Sequence, residues 1–292
     1  PIFLYEISPS KYEVMDGLQR ISTIIDFLNN KFELKGLEVW QELNGFSYEK
    51  LIPEVQDAIG SRYLSGSVIL SDSKNTKEKQ DELKRLIFER LNTGGITLTK
   101  QEIRNAVNTS EMNTMINDFA DNNNTFNNLW HSGGDSKNRM GNREMILRFF
   151  AYKDLSYNNN TTVGTSQALD YYSAKSVYFD KSKVENLKLY IENTLDFVKT
   201  LFGEQAFNKN NGTKSEKMLF DTVMLACSMC IDKEVGLNGD MDIENNVQLK
   251  NNFLESNRDL FNGKYTSFSK VLERQEAFYN FLNSEIINGT SN

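Results

Sequence analysis

The sequence predicts an α+β protein, with a small mixed sheet and its helices at the front and an all-α helical bundle behind. Three observations predict this. Two short apolar runs separated by a turn open the chain, apolar residues recur at helical spacing through the second half, and that half lacks period-2 strands. The whole chain carries only three prolines, which suits long helices. Composition closes off other classes. The 292 residues carry 33 Lys+Arg against 40 Asp+Glu, a net charge of -7, with 39% hydrophobic residues. The longest greasy stretch, around Met224 to Ile231, is short and interrupted, so a membrane span is excluded. Aromatic and aliphatic residues recur along most of the length, which argues against disorder. The acidic balance argues against a general, phosphate-driven affinity for DNA and leaves room only for a local basic face.

In chain order, Pro1 to Tyr5 and Tyr12 to Met15 form two strands, with Ser8-Pro-Ser10 as the turn between them. The chain starts at Pro1 directly on an apolar run, which suggests a missing upstream piece. Asp16-Gly17 then starts a helix whose apolar face carries Leu18, Ile21, Ile24, Ile25 and Leu28. From Phe32 to Val68, with Gly36, Gly45, Pro53, Gly60 and Gly66 as punctuation, small strands and a short helix are expected. Helical spacing returns from Glu78 to Leu91 and stops at Asn92-Thr-Gly-Gly95, where glycines permit positive φ. Thr99 and Glu102 form a capping box, and Leu98 with Ile103 supplies a hydrophobic staple. Asp118 to Gly141, rich in Asn, Gly and Ser, is expected to be an exposed loop. Further helices are expected at Arg143 to Tyr152, Val184 to Phe202, Glu216 to Asp232, Ile243 to Phe261 and Ser267 to Ile287.

Chemistry concentrates at the first strand-to-helix junction. The opening amides and the dipole of a helix favour negative charge there. Gly17 lets backbone come close to a ligand, Arg20 offers a donor fork suited to phosphate, Gln19 can position a water or a phosphate oxygen, and Asp16 can hold a metal or accept a proton. The competing reading makes Asp16 an N-cap and Arg20 a solvated residue. A second cluster, Phe88 to Gly95, leaves Arg90, Asn92, Thr93 and Gly94 at a helix C-terminus; taken alone it is a helix stop rather than a ligand loop. Arg139, Arg143 and Arg148 lie around a helix start and read by default as a solvated face.

Other centres are poorly supported. His131 is the single histidine and lacks any triad signature, and no Walker A or Gly-x-Gly-x-x-Gly pattern is present. Cys227 and Cys230 form a Cys-x-x-Cys pair inside an apolar helical segment, which points to buried structural thiols rather than a redox or zinc pair. Two thiols and no signal-peptide pattern fit a reducing cytoplasm.

Taken in order, Tyr12 to Thr23, Phe88 to Gly95, Leu98 to Asn105 and Arg143 to Arg148, behind the strand at Pro1 to Tyr5, resemble the ParB/sulfiredoxin-like domain at the front of GmrSD-type restriction enzymes. This family is also catalogued as domain of unknown function 262, with an Asp-Gly-Gln-Gln-Arg motif. The resemblance implies a nucleotide-binding ParB/sulfiredoxin-like domain over 1–110, a connecting helical and loop region over 111–165 and a helical bundle over 166–292. It implies binding, and hydrolysis, of a nucleoside triphosphate (GTP or ATP) with Mg²⁺ in a bacterial anti-phage or modification-dependent restriction system. Asp16, Gln19 and Arg20 would be its catalytic core, with Asp16 on the metal. Gly17, Thr23, Arg90, Asn92, Thr93 and Gly94 would bind nucleotide, and Arg139 and Arg143 would be outlying contacts. Phage or modified DNA and an effector nuclease subunit are the implied partners.

Two departures stand against this pattern. Leu18 replaces a Gln of the motif and, sharing the apolar face, is expected to pack inward; and the family's segment before the hairpin is absent, so the front is truncated. Members often carry a C-terminal HNH nuclease, but His131 alone cannot supply one, so no nuclease site is expected in this chain. The alternative is a non-catalytic module that senses nucleotide or docks on DNA and recruits an effector nuclease through its helical domain.

Overall fold

The computed structural model describes residues 2–70, 84–87, 99–131, 140–158, 163–209, 212, 215–237, 241–262 and 267–288. The chain divides into two compact units, Pro1–Leu98 and Thr99–Asn292.

In the first unit, β1 (Ile2–Ser8) and β2 (Lys11–Asp16) pair antiparallel around a tight turn at Pro9 and Ser10, where Ser10 takes φ 64°. β3 (Gly66–Ile69) adds to the other side of β1 in parallel, giving a mixed sheet of order β2-β1-β3. A parallel pair needs a crossover. Here α1 (Leu18–Leu28), 3₁₀ turns at Gln41–Leu43 and Tyr48–Lys50, and α2 (Pro53–Gly60) lie along it. Proline at the first position of α2 is tolerated because that N–H has no helical acceptor in any case. The stretch expected to hold small strands and a short helix therefore contains one described strand.

Phe27 anchors α1. Its ring lies 5.4 Å from that of Phe32 and 5.9 Å from that of Tyr48. Tyr5, Met15 and Leu51 are the other buried apolar side chains among the described residues of this unit. Lys84, in a helical turn at 84–87, pairs with Glu13 and stands 5.9 Å over the Tyr5 ring, the cross-strand neighbour of Glu13. The expected inward packing of the α1 stripe is corrected: Leu18 is 63% exposed, and Ile24, Ile25 and Leu28 are exposed too.

The second unit is helical. Thr99 caps α3 (Lys100–Val107) with the expected reciprocal box to Glu102; the staple partner Leu98 lies outside the described residues. Then come α4 (Glu111–Asn122), α5 (Asn124–Leu129), α6 (Gly141–Asn158), α7 (Thr165–Ser176), α8 (Lys181–Phe202) and α9 (Lys217–Asp232). The end is formed by α10 (Ile243–Ser256), α11 (Arg258–Phe261) and α12 (Phe268–Phe281), which runs on into a π-helical turn at Leu282–Ile287.

Helix α9 is the axis of this unit. It is buried from Met218 through Ser228 and again at Cys230, and it packs on α12, α8 and α6. A helix apolar on every side belongs inside a protein, and the greasy run from Met224 is its C-terminal half. Around its start, the Phe220 ring lies 4.8 Å from Phe207, 5.4 Å from Trp130 and 6.2 Å from Phe126.

That aromatic cluster corrects the loop expected from Asp118 to Gly141. Through Trp130 the segment is helical, and Phe126, Leu129 and Trp130 are core. The asparagines act as caps: Asn123 ends α4, and its side chain accepts from the Phe126 N–H to start α5. Residues 132–139 lie outside the described part. Arg148 is also corrected. It is not solvated but buried, gripping Asp221 of α9 through Nε and Nη2.

Candidate functional site

The junction between β2 and α1 is set by the register of the sheet. Leu4 faces Val14 while Phe3 faces Asp16, so β2 carries one extra residue, Met15, between them. Such a bulge turns the strand and re-aims the chain beyond it. Met15 goes into the core and Asp16 is left half-exposed at the strand end.

Gly17 comes next as the N-cap of α1, with φ 96° and ψ 10°. A side chain there would be strained by the backbone, and a Cβ would stand 2.6 Å from Cγ2 of Ile2. The close approach that glycine allows here is therefore made by Ile2 of β1. Ile21 N–H closes the first helical turn on the Gly17 carbonyl at 3.0 Å. The preceding amides, those of Leu18, Gln19 and Arg20, are in the turn that has no acceptor within the helix. Among the described residues no side chain caps them, and no acidic residue sits in that turn.

Arg20 donates from Nη2 to Oδ2 of Asp16 at 2.7 Å, the two side chains being 48% and 41% exposed. A pair this open contributes about 0.2–1 kcal/mol and is readily exchanged for another partner. Gln19 and Thr23 are exposed, and Thr23 lies three residues on from Arg20, on the same side of the helix. The structure thus brings Asp16, Gly17, Gln19, Arg20 and Thr23 to one corner. Arg90, Asn92, Thr93, Gly94 and Arg139 lie outside the described residues. Arg143 belongs to the second unit and is engaged there, with Nη2 on both carboxylate oxygens of Asp121 and Nε on Asn117 at 2.8 Å.

The remaining candidates lie in the second unit. Cys227 and Cys230 are free, buried thiols; burial pushes Cys227 well up and Cys230 up to about 11, so neither is a ready thiolate. The His131 backbone is tied to Ser215 at 3.0 Å and 3.1 Å. Among the described residues no group of three or more His, Cys, Asp or Glu is arranged to hold a metal ion. Mg²⁺ nonetheless needs few protein ligands, because it keeps water and takes phosphate oxygens, so the lone carboxylate of Asp16 beside phosphate donors fits that ion.

Sequence reasoning passed over several buried charges, Asp221 and Lys250 among them. Asp221 interrupts Leu219-Phe220-Asp221-Thr222-Val223, and a carboxylate flanked by core residues signals a buried partner. Lys250 is fully buried on α10, where Nζ donates to the Asn208 carbonyl at 3.0 Å and to that of Gln205; burial drives its pKa down to about 8. Nothing in its local pattern announces this.

Fold and corner together define a two-unit α+β protein whose mixed sheet delivers an acid, a left-handed glycine and an arginine into the start of an uncapped helix. Residues 1–109 match the family model of the GmrSD restriction endonuclease, N-terminal domain. Over this stretch the chain is similar to the N-terminal domain of GmrSD-type restriction endonucleases. No curated protein and no solved structure matches it. Among the described residues no helix is long and apolar enough to cross a membrane.

Proposed function

We propose that the first unit binds a nucleoside triphosphate, GTP or ATP with Mg²⁺, at the start of α1, and that hydrolysis there licenses a restriction response to phage or modified DNA. The observation that carries this is the helix start itself: amides with no side-chain cap among the described residues, no acid in the first turn, and an exposed guanidinium alongside. Arg20 exchanges Asp16 for a phosphate oxygen, which leaves the Asp16 carboxylate available to the metal ion, and Gln19 orients a water. Positioning and charge neutralisation supply the catalysis, since phosphoryl transfer asks for little covalent chemistry from the protein. The helical unit serves as the docking body for DNA or for an effector nuclease subunit.

A second reading, binding without turnover, is favoured by one feature: among the described residues Asp16 is the single carboxylate placed at this corner. Calorimetry and phosphate-release assays on the full chain and on Arg20→Ala test both readings. The expected result is triphosphate binding and release, with affinity falling roughly 10- to 100-fold in the variant as a charged hydrogen-bonding partner is lost. Binding without phosphate release makes the protein a nucleotide sensor. No binding of either triphosphate by the full chain overturns the proposal.

A further inference from the structure

The interior of the helical unit holds a second arginine that is built like a ligand site. Arg148 on α6 and Arg274 on α12 both reach the neighbourhood of Asp221 on α9, and both are buried. Arg148 uses its Nε and Nη2 edge to take the two oxygens of Asp221, and Arg143 uses the same edge on Asn117 and Asp121. That edge presents two parallel N–H donors with the spacing of a carboxylate or phosphate. In Arg274, which is 3% exposed, Nη1 donates to the Leu260 carbonyl at 3.4 Å, while Nε and Nη2, the same edge, have no partner among the described residues.

The charges around it decide what would fit. Glu144 lies 4.0 Å from Arg148 and 3.1 Å from Lys217, and Glu273, which also acts on Arg274, is paired with Lys270, so Arg148, Arg274, Lys217 and Lys270 face Asp221, Glu144 and Glu273, which leaves one positive charge over. Asp221 is already held through both oxygens by Arg148, and Tyr152, under the Arg148 guanidinium, is kept protonated by burial and by Asp221. Burial also pulls the Arg274 guanidinium below its ordinary range, with Asp221 opposing. A guanidinium does not give up its proton in a protein, so the surplus charge calls for an anion with two acceptor oxygens.

We propose that the Nε and Nη2 edge of Arg274 binds a small, singly charged oxyanion, a carboxylate or a protonated phosphate. The site is separate from the α1 corner and does not depend on what binds there.

The test uses the full chain in two arms. In solution, melting is followed in formate, acetate, phosphate and chloride at one ionic strength, for the wild type and for Arg274→Gln. The wild type is expected to melt about 3–6 °C higher at an oxyanion concentration ten times its dissociation constant than in chloride, and the variant to show no such difference. Formate and acetate acting without phosphate identify a carboxylate site; the reverse identifies phosphate. In crystals of the wild type grown in formate, a planar three-atom density bridging Nε and Nη2 of Arg274 is expected, and this arm decides the matter if Arg274→Gln does not fold. A single water at that edge, or the same melting temperature in oxyanion and chloride, overturns the proposal.

Discussion

The two units use the same kind of sequence signal to opposite ends. In α1, Leu18, Ile24, Ile25 and Leu28 repeat at helical spacing and are exposed, while Phe27, off that stripe, is the residue that goes inside. In α9, side chains are buried all round the helix from Met218 to Ser228, Asp221 included. Periodicity says which residues share a face; whether that face is covered depends on what surrounds it. In the first unit α1 packs on the 3₁₀ turn at Tyr48–Lys50, whereas the second unit surrounds α9 with long helices. The one is held by a few anchors and local geometry, the other by a dense interior that must also satisfy its charges.

The sharpest way to break this contrast is to remove the carboxylate from the axis. Asp221→Ala leaves Arg148 buried without its partner and is expected to destabilise the helical unit by about 3–5 kcal/mol in urea unfolding. Replacing both partners with apolar residues should restore much of that loss, whereas a small effect of the single change would mean that the interior is wetter than its burial implies.

A somewhat smaller effect is expected from pH. In the folded protein Lys250 has a pKa lowered to about 8 by burial, against about 10.4 when unfolded. Between these values the unfolded chain binds more protons, so the contribution of Lys250 to stability rises as pH increases from about 8 to about 10.5, by roughly 3 kcal/mol, and is flat below that window. Buried thiols slope the other way in this range, so the measurement is the difference between wild type and Lys250→Met in unfolding free energy at pH 7.5 and pH 10.5. A difference independent of pH would place the ammonium in contact with solvent.

The smallest of the three belongs to the first unit. Gly17→Ala forces a side chain into φ 96° and against Ile2, for an expected loss of about 1–3 kcal/mol in thermal or urea unfolding. Ile2→Ala in the same chain should recover the steric part alone, so a double-mutant cycle separates backbone strain from contact. Full recovery would show that backbone strain contributes little.

Local signals were legible in the sequence wherever neighbours along the chain determine the outcome. The opening hairpin, the start of α1 at Asp16-Gly17 and the Thr99 to Glu102 box are all written within a few residues of where they act. Asparagine misled because it breaks helices and caps them with the same side chain, and only the burial of Phe126 and Trp130 distinguishes a loop from a cap at Asn123. Arg148 and Asp221 are 73 positions apart, so their pairing is a property of packing and no window of sequence contains it. At the α1 corner the residue types were legible, but the role of Gly17 was not, since Ile2 comes to it through the sheet.

The extra residue at Met15 makes the hairpin tolerant at one end and intolerant at the other. Lengthening the turn at Pro9 and Ser10 adds chain to the tip and leaves the pairing of Phe3 with Asp16 where it is. Deleting one residue between Tyr12 and Asp16 would erase the offset, swing the acid to the opposite side of the ribbon and launch the next helix in another direction. Length variation among natural variants of this hairpin should therefore collect at its tip, with the five positions leading into α1 kept at constant number.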